Sequence, residues 1–308
     1  MRLKKVILAS ALASTLPFSS MAEELKLGVS VAYFNHNYLT LVRQAMQQQI
    51  QEMDGVSAHF EDAKGDVAQQ VQHIENFVDQ GVDAIITIPV DTQAVQPLVK
   101  RAQEAGIPLV FVVNKPESEL PANTAFVGSD SRLAGLMQME YIAEKMGGEG
   151  NIVILLGVLS NEATRERTKG VEEVVAKYPG IRILDKQTGN FYRNEGVDIT
   201  SNWLLSGLDI DAVVSNNDEM AIGAIMALQQ SGKKDVIVGG IDATPDALAF
   251  MDKGLLDVTV FQDAAGQGRE SVTTAVKLAR GESVEQSIMI PYQLITPENV
   301  ETLELGKQ

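Results

Sequence analysis

Short apolar runs alternate with longer amphipathic stretches along most of the chain. The runs are rich in valine and isoleucine, which favours strands, and the stretches between them repeat apolar residues at helical spacing. Asp66 is placed to cap one helix that we expect to end at Gln80-Gly81. The next helix is expected to run from near Asp91-Thr92 to Gly106. Strands that alternate with helices form parallel sheets covered by helices on both faces. The pattern predicts a doubly wound α/β fold with strands at LKLGVSV, VSAHFED, DAIITIP, PLVFVV, NIVILLG, IRILDKQ, DAVVSN, DVIVGGID and DVTVFQ.

Most predicted strands are followed by an amide, a carboxylate or a hydroxyl group. In open parallel sheets, ligands bind in the crevice beyond the carboxyl ends of the strands. Two such sheets that face each other would bury a small ligand between two lobes. Helix capping is the alternative role for such residues, and we expect it for Asp91 and Ser160-Asn161. The polar residues at strand ends are Asn35, Asp91, Asn114, Ser160-Asn161, Asn216-Asn217-Asp218, Asp242 and Gln262.

The stretch AYFNHNYLT, residues 32–40, joins the first predicted strand to a helix without a glycine. Nucleotide-binding folds place glycines at such a junction so that the backbone approaches a phosphate. This junction offers side chains instead, and its amides suit the hydroxyl groups of a neutral ligand. Phe34, Tyr38 and the later Phe191 offer flat faces to a ring. On composition alone, Tyr38 and Phe191 are more typical of core aromatics.

Residues 1–22 combine a basic start, an apolar stretch and terminal small residues. This is the pattern of a secretory signal peptide, and its apolar part is too short to span a bilayer. A membrane anchor in residues 6–18 is the alternative. The chain has no cysteine and a formal net charge of −16, which argues against disulfides, thiolate metal sites, nucleic acid and anionic lipid. We expect an exported, periplasmic protein with no cofactor and no metal.

The motifs of common enzymes are missing from the sequence. No predicted strand is followed by GxGxxG, and neither a nucleophile elbow nor a P-loop occurs. His36, His59 and His73 are too scattered to form a metal-binding motif. If the protein were a glycosidase, Asp218 and Asp242 would be the candidates for its catalytic pair of carboxylates. A transcription regulator would need a DNA-binding head, and no helix-turn-helix pattern is present. We expect binding without catalysis.

Four ordered segments carry a resemblance to a known family. They are NEATRERTKG, VVSNNDEMAIGA, VGGIDATPDA and VTVFQDAAGQG. They resemble segments of type I periplasmic sugar-binding proteins of the ribose-binding kind, the solute receptors of ABC importers. The resemblance implies two lobes joined by a three-segment hinge that close on the ligand. By this alignment the N-terminal lobe is residues 24–129 and 263–293, and the C-terminal lobe is residues 130–262 and 294–308. It also implies a monomer that serves an inner-membrane permease, and such receptors also serve chemoreceptors.

The resemblance further implies ligand contacts at matching positions. Arg167 would direct its guanidinium fork onto ring hydroxyls, and Tyr38 and Phe191 would stack on the ring. Arg167 has an alternative as a surface helix arginine, and Asp242 has one as the cap of the helix at TPDA. Asp218 is expected to be a cap or an interlobe partner. The implied contacts are Phe34, Asn35, Asn37, Tyr38, Asn114, Arg167, Phe191, Asn217, Asp242 and Gln262.

Two departures from the family pattern bear on the ligand. Related sequences commonly have an acid or amide followed by arginine where this chain has Val113-Asn114-Lys115, which disfavours a ribose site. The opening stretch is closer to the inositol and rhizopine-binding branch, which often has two aspartates in place of Asn35-His36. We expect a neutral cyclic polyol, myo-inositol or a related compound, bound with roughly micromolar affinity through three or four hydrogen bonds and ring burial. A monosaccharide such as ribose or another pentose or hexose is the alternative.

Overall fold

The computed structural model describes residues 24 to 302, which form two lobes, each built around a parallel sheet. The predicted signal peptide, residues 1–22, lies outside the described residues. Both sheets are covered by helices on each face, because alternate residues of their strands point to opposite sides. In the first lobe, for example, Ile86 packs toward one pair of helices and Ile85 toward another. The predicted fold class is therefore confirmed.

The first lobe contains the larger sheet. Its strand order is β11-β5-β4-β3-β1-β2, with every neighbouring pair parallel. Helices α1 and α9 pack together on one face, and α2 and α3 pack together on the other. Its elements are β1 (Leu25–Val31), α1 (Asn37–Gln51), β2 (Val56–Asp62), α2 (Val67–Asp79), β3 (Ala84–Ile88), α3 (Gln96–Ala105), β4 (Leu109–Val112), β5 (Thr124–Gly128), α9 (Ala264–Ala279) and β11 (Ser287–Met289).

The second lobe contains a sheet with the parallel order β7-β6-β8-β9. Helices α4 and α5 cover one face, and α6, α7 and α8 cover the other. Its elements are α4 (Ser131–Lys145), β6 (Glu149–Leu156), α5 (Glu162–Val175), β7 (Gly180–Thr188), α6 (Arg193–Leu205), β8 (Ala212–Ser215), α7 (Asp218–Gln230), β9 (Ile237–Gly239), α8 (Pro245–Met251), β10 (Thr259–Phe261), β12 (Gln293–Ile295) and a 3₁₀ turn (Val300–Thr302).

Within the described residues, the chain passes between the lobes three times: after β5, after β10 and after β11. The strands β10 and β12 form an antiparallel pair beside the second sheet. Bridges from Gly239 to Val258 and from Asp242 to Phe261 join β10 to that sheet. The predicted lobe boundaries, after residues 129, 262 and 293, lie near these crossings. That the lobes move about a hinge at these positions stays a prediction.

The helix limits test the predictions from capping residues. Asp66 caps α2 by accepting hydrogen bonds from the amides of Ala68 and Gln69, as predicted. Helix α3 ends at Gly106, which adopts φ of +70°, a conformation that glycine allows without steric cost. The predicted start of α3 near Asp91 was wrong. Asp91 accepts hydrogen bonds from the amides at 93 and 94 in a separate turn, and the helix begins at residue 96.

Candidate functional site

A cavity lies between the two lobes, beyond the carboxyl ends of the strands in both sheets. The chain segments that follow β1, β3 and β4 line it from the first lobe. Segments after β6, β7, β8 and β9 line it from the second lobe, together with the crossing after β10. This is the position that the strand-end polar residues predict. The structure brings together here the predicted residues Asn37, Tyr38, Asn114, Arg167, Phe191, Asn217, Asp242 and Gln262.

Phe34 and Asn35 are the predicted residues that do not line this cavity. Phe34 is half-buried outside it, and the guanidinium of Arg43 lies over its ring with Cζ 4.0 Å from the centroid. Asn35 is exposed to solvent. Helix α1 begins at residue 37, and the turn before it directs Tyr33 and His36 into the cavity wall instead. The prediction that Phe34 and Asn35 lie at the ligand site is therefore corrected, because this turn places both side chains outside the cavity.

Arg167 and Asp242 form a buried pair of opposite charges in the second lobe. Nη1 of Arg167 lies 3.8 Å from Oδ1 of Asp242, and both side chains are about 95% buried, with exposed fractions of 5% and 4%. The guanidinium also donates to the backbone oxygen of Asn216 and to Oε1 of Gln262, both at 2.6 Å. The alternative of a surface arginine therefore does not hold. These bonds fix the guanidinium in the cavity wall beside the carboxylate.

Two opposing effects act on the Asp242 carboxyl group. Burial raises the pKa of Asp242 well above its ordinary value, and the neighbouring Arg167 acts to lower it. Hydroxyl groups that donate to the carboxylate would favour its ionised form further. Asp242 does not cap the helix at TPDA, because Thr244 accepts the hydrogen bond from the amide of Ala247 there. The Asp242 side chain is thus not committed to a helix cap, and it lines the cavity.

The backbone at Asp242 is strained and is held by a buried polar group. Asp242 and Ala243 adopt φ of +126° and +54°, which side chains other than glycine rarely do. Asp218 lies beneath this turn, and its carboxylate accepts bonds from the amide of Thr244 at 2.8 Å and the hydroxyl of Thr259 at 2.7 Å. Since both Asp218 oxygens bond protein donors, this residue is not free for the acid or base role of a glycosidase pair. Burial raises its pKa to about 7.

Amide side chains around the cavity are anchored to protein groups at one end. Nδ2 of Asn114 donates to the oxygen of Pro89 at 3.1 Å, and Nδ2 of Asn37 donates to Oε1 of Glu219 at 3.0 Å. These bonds leave the amide oxygens of both residues as acceptors. Asn217 is occupied at both ends, because it caps α7 and donates to the oxygen of Phe191 at 3.2 Å. A ligand with hydroxyl groups, which both donate and accept hydrogen bonds, can therefore pair with these amides.

Aromatic rings border the cavity from both lobes. The Tyr38 hydroxyl donates to Oε1 of Gln267 at 3.1 Å, and this hydrogen bond fixes the position of the ring. Phe191 lies directly against the backbone of Gly157, where an added Cβ would come within 2.0 Å of the ring. His36 and Tyr33 stack with their centroids 4.2 Å apart. Tyr33 and His36 were not among the predicted contacts, although both stand in the stretch AYFNHNYLT.

Side chains also join the lobes at the rim of the cavity. Arg165 of the second lobe forms an ion pair with Glu117 of the first and donates to Oγ1 of Thr92 at 2.9 Å. The amide of Thr92 donates to the oxygen of Ser160 at 3.2 Å. The bond between Asn37 and Glu219 crosses the gap on the other side. The lobes are therefore in a closed arrangement around the cavity.

A long apolar helix would indicate a membrane span, and a cluster of ligating side chains would indicate a metal site. None of the helices between residues 24 and 302 has the length and apolar character needed to cross a membrane. Across the same residues, no group of three or more histidine, aspartate or glutamate side chains is arranged to hold a metal ion.

Comparison with known proteins gives consistent matches over nearly the whole chain. A family model described as a periplasmic binding protein domain matches residues 27–283. A candidate rhizopine-binding protein of Rhizobium meliloti is 46% identical over 304 residues, which span 97% of this chain and 98% of that protein. A xylitol-binding protein of Mycolicibacterium smegmatis is 34% identical over 277 residues, which span 90% of this chain and 78% of that protein.

A solved structure agrees with both the sequence match and the fold. It is an ABC transporter solute binding protein from Bacillus halodurans with bound myo-inositol. It is 45% identical to this chain and superposes with a TM-score of 0.88, over 93% of this chain and 99% of that one.

Proposed function

The chain belongs to the family of periplasmic binding protein domains, and we propose that it captures a neutral cyclic polyol, myo-inositol or a close relative, for an ABC importer. It is a sugar- or inositol-binding protein of the ABC transporter class. We further propose that the protein is exported to the periplasm and delivers its ligand to a membrane permease. The observation that carries the choice of ligand is the set of free acceptors in the cavity.

Those acceptors are the Asp242 carboxylate and the amide oxygens of Asn37 and Asn114, while each amide nitrogen gives one of its two N–H groups to the protein. Each hydroxyl group of a polyol can donate one hydrogen bond, so a polyol satisfies several such acceptors at once. The charge of Arg167 is balanced by Asp242 at 3.8 Å. A neutral ligand therefore fits better than an anion, whose charge the carboxylate would repel.

Binding by closure follows from where these groups lie. Asn37 and Asn114 belong to the first lobe, and Arg167 and Asp242 belong to the second, so only a closed molecule surrounds the ligand with all four. Gln262 lies in the crossing after β10 and accepts a bond from Arg167, which ties one binding residue to the hinge. A ligand that contacts both lobes shifts the population toward the closed form.

Calorimetric titration of unfolded and refolded, ligand-free protein tests the proposal. We expect myo-inositol to bind with micromolar or tighter affinity, and ribose, galactose and glucose to bind much more weakly. Heat with a monosaccharide but not with myo-inositol would retain the receptor class and reject the polyol. The absence of heat with every polyol and sugar would contradict the proposed function.

A further inference from the structure

The side chain of Gln267 lies where the cavity wall meets the crossings between the lobes. It stands in the first turn of α9 and is fully buried. Its Nε2 donates to Oγ of Ser129 at 2.9 Å, in the crossing after β5. Its Oε1 accepts from the hydroxyl of Tyr38 at 3.1 Å and from Nε2 of Gln262, in the crossing after β10, at 3.5 Å. One amide group therefore joins a cavity ring to two of the crossings.

The surroundings of this amide are closed to solvent. Its three partners are at most 9% exposed, and Gln267 itself is 0% exposed. Burial of an amide is costly unless it is hydrogen-bonded, so an apolar side chain would fill this space at lower cost. An amide that is bonded at both ends instead fixes the groups it joins, because each lost bond leaves a buried polar atom unpaired. Gln267 is thus suited to hold Tyr38 and the two crossings in one arrangement.

The same network continues into the second lobe. Oε1 of Gln262 accepts from the guanidinium of Arg167 at 2.6 Å, and Arg167 lies beside Asp242 in the cavity wall. Hydrogen-bonded groups thus run from Tyr38 of the first lobe through both glutamines to Arg167 of the second. The bond between the glutamines is the longest of these, at 3.5 Å. Because hydrogen bonds weaken with distance, it is the first that a rotation of the second lobe would break.

We propose that Gln267 is a positioning residue that couples occupation of the cavity to the angle between the lobes. It does not line the cavity itself. It holds Tyr38 in the cavity wall and holds the crossings after β5 and β10 in their closed geometry. The proposal rests on the proposed function, since it assigns a further residue to binding by closure. Loss of the amide should therefore favour the open form and shorten the lifetime of the complex.

The variant Gln267→Met keeps the length of the side chain and removes both polar atoms, and methionine adapts readily to a buried space. Calorimetry should show myo-inositol binding about fivefold more weakly than in the wild type, which is the effect of one neutral hydrogen bond. Stopped-flow kinetics should show that most of this loss is faster dissociation, because the ligand leaves from the open form. X-ray scattering should show a larger radius of gyration without ligand and the wild-type radius at saturating myo-inositol.

Gln103→Met is the matched control for the chemical change. Gln103 is exposed on α3, which covers the face of the first sheet opposite to α9. This variant should match the wild type in affinity, dissociation rate and radius. If Gln267 had only a structural role, its replacement would lower the free energy of unfolding in urea and leave the dissociation rate and the ligand-free radius unchanged.

Ser129→Ala gives an independent answer if Gln267→Met does not fold. It removes one bond of the network at the crossing after β5, and Ser129 does not line the cavity. Dissociation of myo-inositol should be faster than in the wild type, by a smaller factor than in Gln267→Met. Added to Gln267→Met, Ser129→Ala should change the dissociation rate no further, because its bonding partner is already gone.

The outcomes separate this inference from the proposed function. If the wild type binds myo-inositol but Gln267→Met, or Ser129→Ala in its place, keeps the wild-type dissociation rate and radius, the coupling is wrong and the function stands. If the wild type binds a monosaccharide instead, the same measurements with that sugar decide the coupling. A wild type that binds no polyol or sugar overturns the proposed function, and the ligand-free radii then decide whether Gln267 sets the angle between the lobes.

Discussion

Replacement of Asp242 by asparagine should separate ligand binding from stability. The Asp242 carboxyl group is buried, and its charged partner Arg167 is no nearer than 3.8 Å. Since burial raises the pKa of Asp242 well above its ordinary value, the ligand-free fold disfavours the ionised form. Asparagine has nearly the same shape and no charge. Loss of the carboxylate relieves its burial but removes the counter-charge of Arg167, so the two effects oppose each other and the free energy of unfolding of the ligand-free variant should stay within about 2 kcal/mol of that of the wild type.

The effect on affinity should be larger, and unfavourable. A hydrogen bond to a charged group contributes about 1.5–3 kcal/mol, and asparagine replaces one of the two acceptor oxygens of Asp242 by a donor. Loss of one such bond weakens binding by roughly 10- to 150-fold. The Asp242→Asn variant is thus expected to be similar to the wild type in stability and a clearly weaker binder.

Calorimetry with myo-inositol gives the affinity, and urea unfolding without ligand gives the stability. Asp66→Asn is the matched control, because it makes the same change of charge at an exposed helix cap where asparagine serves equally well. Unchanged affinity in Asp242→Asn would remove this residue from the site. A loss of stability of more than about 2 kcal/mol would show that the carboxylate has a structural role instead.

Three further predictions concern the cavity wall, the rim and pH. Gly157→Ala should weaken myo-inositol binding at least 10-fold by calorimetry, because the new Cβ would displace the ring of Phe191; unchanged affinity would show that this ring does not contact the ligand. Arg165→Met should weaken binding by up to about fivefold through loss of the partly exposed interlobe pair with Glu117. X-ray scattering should show a more open ligand-free population, and a Glu117→Gln variant with no loss of affinity would contradict this. Because burial in the folded chain holds the pKa of His36 at about 4, below its ordinary 6.5, wild-type stability should fall as the pH falls from 6.5 toward 4. In urea unfolding, His36→Phe should lose roughly 3 kcal/mol less stability over this pH range than the wild type. Parallel curves of stability against pH for the two proteins would refute the lowered pKa of His36.

Much of the fold could be predicted from the sequence because strand and helix periodicity differ. The runs LKLGVSV and VSAHFED coincide with β1 and β2. The strands β5, β11 and β12 were missed. Their length is not the reason, since the three-residue strands β9 and β10 were predicted. The pairing of β10 with β12 joins distant segments, and local sequence does not encode such contacts.

The site was predicted less completely, for a reason visible at its first segment. Polar residues at strand ends pointed to Asn114, Asn217 and Asp242 because parallel strands bring their carboxyl ends to one edge. Between β1 and α1, however, the side chains that face the cavity depend on the turn that precedes the helix. Periodicity does not determine that turn, and His36 lines the cavity where Phe34 and Asn35 were expected.

The central claim is that the cavity between the lobes holds a neutral cyclic polyol. A crystal structure of this protein grown with myo-inositol tests it most directly. We predict one ring in the cavity, with hydroxyl groups within hydrogen-bonding distance of Asp242, Asn114 and Asn37. An empty cavity at saturating myo-inositol, or a ring bound at another surface, would contradict the account.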